Sequence, residues 1–216
     1  MAIDQSSNSN PRQIEIPPHI GVTVVVSYLV MHLVWGQLVH GPYSFVIERA
    51  IFLALALFYV VVRLGFPLPQ VIGSFRLPGR KDLRFFLLLS ALGIILRLAL
   101  KMAFQMAYPG ADMAPLTLRR LVDECVVPPL SEEPVFRGLT LSCLAAVFDQ
   151  RKWWLILLSA VIFSACHDAH KIETLIATLM LGTVLGIVFI RTKSLGGCML
   201  LHAVWNAGIF LDLLAI

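Results

Sequence analysis

Charged side chains are scarce in this chain. Asp, Glu, Lys and Arg make up 14% of its 216 residues, and the mean hydropathy is +0.84. A soluble domain carries about 25% charged residues, so the composition excludes an ordinary soluble domain. It predicts an all-α polytopic membrane protein with about seven transmembrane helices. The net charge of +4 does not indicate nucleic-acid binding, because the basic residues are concentrated in loops between apolar segments.

Paired cysteines, a secretory signal pattern and internal repeats are also missing. The four cysteines, at positions 125, 143, 166 and 198, are widely spaced and form no CxxC pair, so we expect them to be packing residues. Residues 1–19 are polar and rich in Pro, Ser and Asn, which predicts a flexible tail before a single transmembrane domain at 20–216. The lack of a repeat counts against a transporter with a buried proton relay.

The apolar segments predict spans at 20–40, 47–62, 85–108, 132–148, 153–167, 172–190 and 195–216. Residues 63–84 read as a solvated basic loop, and residues 115–127 as an amphipathic interfacial helix that Pro128 and Pro129 end. The basic loops at 63–84, 151–152 and 191–193 fall on one side together with the N-terminus. The positive-inside rule makes that side cytoplasmic. Glu132 and His167 are then expected in the opposite half of the membrane.

Two adjacent carboxylates begin the fourth predicted span. Ser131 is expected to cap a helix that starts at Glu132. Glu133 and Arg137 are one turn apart and can neutralise each other. Glu132 points away from Arg137 and has no cation at helical spacing, which suits a carboxylate that acts as a base.

Two further pairs of residues at helical spacing follow on later spans. Phe163 and His167 lie at the end of the fifth span, and His202 and Asn206 lie within the seventh. Such residues also occur as plain helix–helix hydrogen bonds in membrane proteins, and a Glu-Arg pair also occurs as a helix cap and anchor. The presence of all of them in one chain favours a functional site.

These motifs, Glu132-Glu133-x-x-x-Arg137, Phe163-x-x-x-His167 and His202-x-x-x-Asn206, resemble those of the CAAX-prenyl-protease-type family of intramembrane proteases (the CPBP or Abi family). The resemblance covers residues 121–216. It implies a helical core around a buried polar cavity. It also implies endopeptidase activity near the C-terminus of a membrane protein or lipidated peptide substrate in the bilayer. The alternative is a non-proteolytic membrane scaffold or an immunity-type protein that keeps the same fold and binds a partner, and that alternative stays open.

The resemblance also implies a role for each residue. Glu132 would activate the attacking water, and His167 would hold that water in place. His202 and Asn206 would stabilise the oxyanion, and Glu133, Arg137 and Phe163 would support the site. No cofactor is expected, but zinc is possible, because Glu132, His167 and His202 form a two-His, one-carboxylate set that this metal accepts.

Arg97 and Lys101 lie four residues apart in the third predicted span. They are expected either to reach the membrane interface or to form a cationic patch for a substrate carboxylate or a lipid head group.

Overall fold

The structure is a computed structural model that describes residues 75–107, 117–141, 152–167 and 172–208. It also describes a few isolated positions, all of them helical, namely Thr23, Val26, Ser27, Val30, Ile47, Ala50, Ile51, Ala54 and Leu144. Within this part of the chain every regular element is a helix, so the predicted all-α class is confirmed. The first two predicted spans lie almost entirely outside it, and the number seven stays a prediction.

The described helices are α1 (Arg80–Ala107), α2 (Leu118–Cys125), α3 (Val127–Glu133), a π-helical segment π1 (Pro134–Thr140), α4 (Lys152–Ala165), α5 (Ile172–Thr192) and α6 (Leu195–Ala207). Two stretches of these, Arg80–Leu100 and Ile172–Thr192, are long and apolar enough to cross a membrane, and the apolar stretch Trp153–Ala165 is shorter. Such helices fit the predicted membrane location.

The basic loop is shorter than predicted, because α1 begins at Arg80 rather than at residue 85. Asp82 lies in the first turn, where a negative charge interacts favourably with the helix dipole, and its N–H donates to the carbonyl of Gly79 at 2.9 Å. Lys and Arg are good helix formers. The charges of residues 80–84 therefore extend the helix instead of ending it.

The helix that carries the two glutamates also begins earlier than predicted. The chain bends at Val126, and Pro128 and Pro129 lie in the first turn of α3, where a missing N–H costs nothing. They start this helix instead of only ending the one before it. Ser131 is not an N-cap, because its hydroxyl donates to the carbonyl of Val127 at 2.9 Å.

Helices α4 and α5 pack antiparallel through small residues. A Cβ placed on Gly182 would lie 3.0 Å from Cα of Ala160, and one on Gly186 would lie 3.0 Å from Cγ2 of Ile156. Side chains from π1, α5 and α6 fill a common core, which includes Val135, Phe136, Leu185, Val188 and Leu201.

One end of this bundle is rich in positive charge. Nε of Arg191, at the end of α5, lies 3.5 Å from Oδ1 of Asp82 at the start of α1. Ser194 donates to the carbonyl of Arg76 and also accepts from the N–H of Gly197 at 2.9 Å, which caps α6. The start of α1, the end of α5 and the start of α6 are thus fixed together at this basic end.

We expect Gly182→Val to destabilise the protein, because its side chain would enter the contact with Ala160. Overpacking of this kind costs about 1–3 kcal/mol. Thermal unfolding of the detergent-solubilised protein measures the effect. Gly79→Ala is the matched control, since a Cβ there meets no atom within 4 Å. An unchanged melting temperature for Gly182→Val would contradict the close packing of α4 and α5.

Candidate active site

Glu133 and Arg137 form a buried ion pair, as their spacing predicts. Both side chains are 0% exposed, and Nε of Arg137 lies 3.2 Å from Oε2 of Glu133. These two atoms lack hydrogen-bond geometry, so the contact is ionic. Arg137 also donates through Nη2 to the carbonyl of Gly182 at 3.3 Å, and its guanidinium carbon lies 4.4 Å from the centre of the Phe163 ring. A buried charge needs such compensation.

The second oxygen of Glu133 binds a histidine from another helix. Oε1 of Glu133 lies 2.8 Å from Nδ1 of His202, whose side chain is 2% exposed. Glu133 is the ion-pair partner of Arg137, and an ionised carboxylate only accepts hydrogen bonds. Nδ1 of His202 therefore carries the proton. Nε2 of the same ring lies 4.0 Å from Oε2 of Glu132.

His167 is also protonated at Nδ1, but its partner there is a backbone carbonyl. Its Nδ1 lies 2.7 Å from the carbonyl oxygen of Phe163, one turn earlier. A carbonyl can only accept, so Nδ1 is again the protonated nitrogen. Nε2 of His167 lies 3.6 Å from Oε2 of Glu132.

Glu132 is therefore the point at which the two histidines meet. Its side chain is 1% exposed, whereas that of His167 is 24% exposed, so the cluster reaches the surface at His167. Both Nε2 to Oε2 separations exceed the 2.7–3.2 Å of a direct N–H···O hydrogen bond. The arrangement can hold a small polar molecule against the carboxylate and both imidazoles.

The ring of Phe163 lies between the residues of this cluster and contacts several of them. Its ring centroid lies 5.0 Å from that of Phe136, 4.5 Å from that of His167 and 6.0 Å from that of His202. One aromatic ring thus contacts both imidazoles and the face of Arg137. This explains why a bulky apolar residue precedes His167 by one turn.

The segment π1 shapes the same region. The N–H of Leu141 donates to the carbonyl of Phe136, five residues back. A π-helical turn is rare and is found mostly at functional sites. The sequence contains no pattern that we could use to predict it.

Asn206 contacts a different helix. Its Nδ2 donates to the carbonyl of Glu124 in α2 at 2.7 Å. His202 binds α3, so the two side chains are engaged on different helices although they lie one turn apart. A role for Asn206 at the oxyanion stays a prediction.

Arg97 packs beside the C-terminal end of α6. Its guanidinium carbon lies 5.7 Å from the centre of a Trp205 ring, and a Cβ on Gly208 would lie 3.8 Å from its Cγ. The side chain of Lys101 lies outside the described residues. Substrate binding by this pair stays a prediction.

The donor set proposed for zinc fits only in part. Tetrahedral zinc has bonds of about 2.0–2.2 Å, which places its ligand atoms about 3.3–3.6 Å apart. Oε2 of Glu132 lies 3.6 Å from Nε2 of His167, which fits this range, and 4.0 Å from Nε2 of His202, which exceeds it. Within the described ranges no group of three or more His, Cys, Asp or Glu side chains has the arrangement of a metal site. Dependence on zinc stays open.

We expect Arg137→Met to lower the stability by about 3–5 kcal/mol, because it leaves the charge of Glu133 buried and uncompensated. Chemical unfolding in detergent measures this loss. The double variant Glu133→Gln with Arg137→Met buries no charge and should recover part of it. Additive losses in the two single variants and the double variant would contradict a coupled ion pair.

Residues 115–208 match the family model described as Type II CAAX prenyl endopeptidase Rce1-like. This range contains all three motifs and every residue of the cluster around Glu132. No curated protein and no solved structure gave a significant match. The match confirms the resemblance that the motifs indicate, so over these residues the chain is similar to the CAAX-prenyl-protease-type family.

Proposed function

We propose that this protein is an intramembrane endopeptidase in which Glu132 activates the water that attacks a peptide bond. One observation carries the proposal, namely that Nε2 of His167 and Nε2 of His202 both face Oε2 of Glu132, at 3.6 and 4.0 Å. The family to which the motifs belong is one of peptidases.

The tautomers on each histidine fit distinct roles. Nδ1 of His167 donates to Phe163, so its neutral Nε2 has a lone pair and can accept one hydrogen of the water. Oε2 of Glu132 accepts the other hydrogen. The water oxygen then attacks the carbonyl carbon, and its proton passes to Glu132, which later donates it to the departing amine. Positioned groups of this kind contribute typically ~10²–10⁴ in rate.

His202 stabilises the oxyanion that forms on the oxygen of the scissile carbonyl. Since its Nδ1–H donates to Glu133, Nε2 donates to an oxyanion only when the ring is protonated. The carboxylate of Glu133 stabilises that imidazolium. Glu133 thus acts as a positioning residue for His202 besides being the partner of Arg137. Asn206 remains a candidate for a second oxyanion donor.

The proposed substrate is a membrane protein or lipidated peptide that is cut near its C-terminus. Burial of Glu132 among α3, α4 and α6 favours a substrate that enters from the bilayer over a soluble globular protein. Arg97, beside α6 and close to Trp205, is the candidate to bind an anionic group of this substrate.

The charge distribution supports a proposed orientation. The basic end of the bundle holds the start of α1 and the end of α5, whereas His167 follows the opposite end of α4. The positive-inside rule then makes the basic end cytoplasmic. The chain would cross the membrane several times, with its N-terminus in the cytoplasm and the Glu132 cluster in the outer half.

We expect Glu132→Gln to abolish cleavage of a fluorogenic prenylated peptide, while its melting temperature stays near that of the wild type. Glutamine has the same shape but cannot take the proton. His167→Ala should have the same effect, and Glu133→Gln should lower kcat with less effect on KM. Full activity of Glu132→Gln would rule out this carboxylate as the base.

The same assay, run with and without a chelator beside a metal analysis, tests the zinc alternative. Cleavage that persists without bound metal supports Glu132 as the base. Stoichiometric zinc together with chelator-sensitive cleavage would instead make Glu132, His167 and His202 ligands. Folded wild-type protein that cleaves none of a broad set of membrane peptides would favour the scaffold function.

The orientation is tested by thiol labelling in intact cells, with the four native cysteines replaced by alanine. We expect Gly79→Cys, at the basic end, to react with a membrane-impermeant maleimide only after lysis. Thr117→Cys, before α2, should react in intact cells. The reverse pattern would place the Glu132 cluster in the cytoplasmic half.

A further inference from the structure

Helix α2 packs against α3 and α6 without burying a side chain of its own. It has eight residues and none of them is buried, and Leu118 at its start is 79% exposed. A helix this short is marginal by itself. Its first turn is capped by Thr117, whose side chain accepts from the N–H of Arg120 at 3.1 Å.

The other end of α2 is bound by Asn206. Glu124 belongs to the last turn of this helix, where backbone carbonyls have no partner within the helix. The amide of Asn206 donates to the Glu124 carbonyl at 2.7 Å. A side chain of α6 thus supplies the hydrogen bond that the end of α2 needs.

The position of α2 connects this hydrogen bond with the Glu132 cluster. Only Val126 separates α2 from α3, which carries Glu132 and Glu133. Helix α6 carries His202 one turn before Asn206. Helix α2 therefore adjoins α3 and α6, two of the three helices that hold the cluster, whereas His167 follows α4.

We propose that Asn206 is a positioning residue that holds α2 in place, and that α2 moves aside when substrate reaches the Glu132 cluster. The first half of this proposal needs no assumption about the reaction. The second half rests on the proposed endopeptidase function.

Hydrogen–deuterium exchange of the purified full-length protein tests the first half. Loss of one neutral hydrogen bond should speed amide exchange in residues 118–126 roughly 3- to 10-fold in Asn206→Ala, with no change in α5. Asn206→Asp has nearly the same shape but cannot donate from that position, so it should act in the same way and serves if the alanine variant folds poorly.

His202→Ala is the matched control, because it removes a cluster side chain one turn away and leaves the amide of Asn206 in place. Exchange of α2 should then stay at the wild-type rate. Equal acceleration in His202→Ala, or none in Asn206→Ala and Asn206→Asp, would overturn the proposal. A loss of kcat of about 10²–10³ in Asn206→Ala with unchanged exchange in α2 would make Asn206 an oxyanion donor only.

The movement of α2 is tested in the Glu132→Gln background. We would add the prenylated peptide at the concentration that gives the wild type half its maximal rate. Faster exchange in residues 118–126 on peptide addition supports movement of α2, and unchanged or slower exchange overturns it. If the wild type cleaves no peptide, the proposed function fails, while the comparison of Asn206→Ala with His202→Ala still decides the positioning role.

Discussion

The buried pair of Glu133 and Arg137 is the interaction on which the rest of the site depends. A lone charge at that depth would be prohibitively costly, so each member needs the other and further partners. Arg137 has the Gly182 carbonyl and the Phe163 ring. Glu133 has one oxygen against Arg137 and the other against His202. This one pair therefore joins π1 and α3 to α4, α5 and α6.

The pair also makes two neighbouring glutamates chemically different. Consecutive residues of a helix point about 100° apart, so Glu133 faces the guanidinium while Glu132 faces the two imidazoles. The charge of Glu133 is satisfied by Arg137 and His202. Glu132 has no basic residue one turn away on its own helix. It faces Nε2 of His167 and Nε2 of His202, and the hydrogen bond at Nδ1 of each ring decides which nitrogen carries the proton. That asymmetry suits the role of general base that we propose for Glu132.

Local spacing predicted the parts of this site that lie within one helix. The contact of Glu133 with Arg137 and the shared face of Phe163 and His167 both follow from a separation of four residues. Contacts between helices did not follow, since Glu133 and His202 are 69 residues apart and Glu124 and Asn206 are 82 apart. The start of α3 was also ambiguous, because both Pro128 and Pro134 suit a first helical turn and Ser131 can bond forward as a cap or back to Val127.

The two polar residues of α6, His202 and Asn206, contact two different helices. His202 binds the helix of the glutamates, and Asn206, one turn on, binds α2. A shift of α6 large enough to release one contact would strain the other, because both lie on one rigid helix. The buried ion pair holds the first contact in place, whereas α2 has no buried residue to hold the second. The Asn206 contact is therefore the one expected to open first, as the proposed movement of α2 requires.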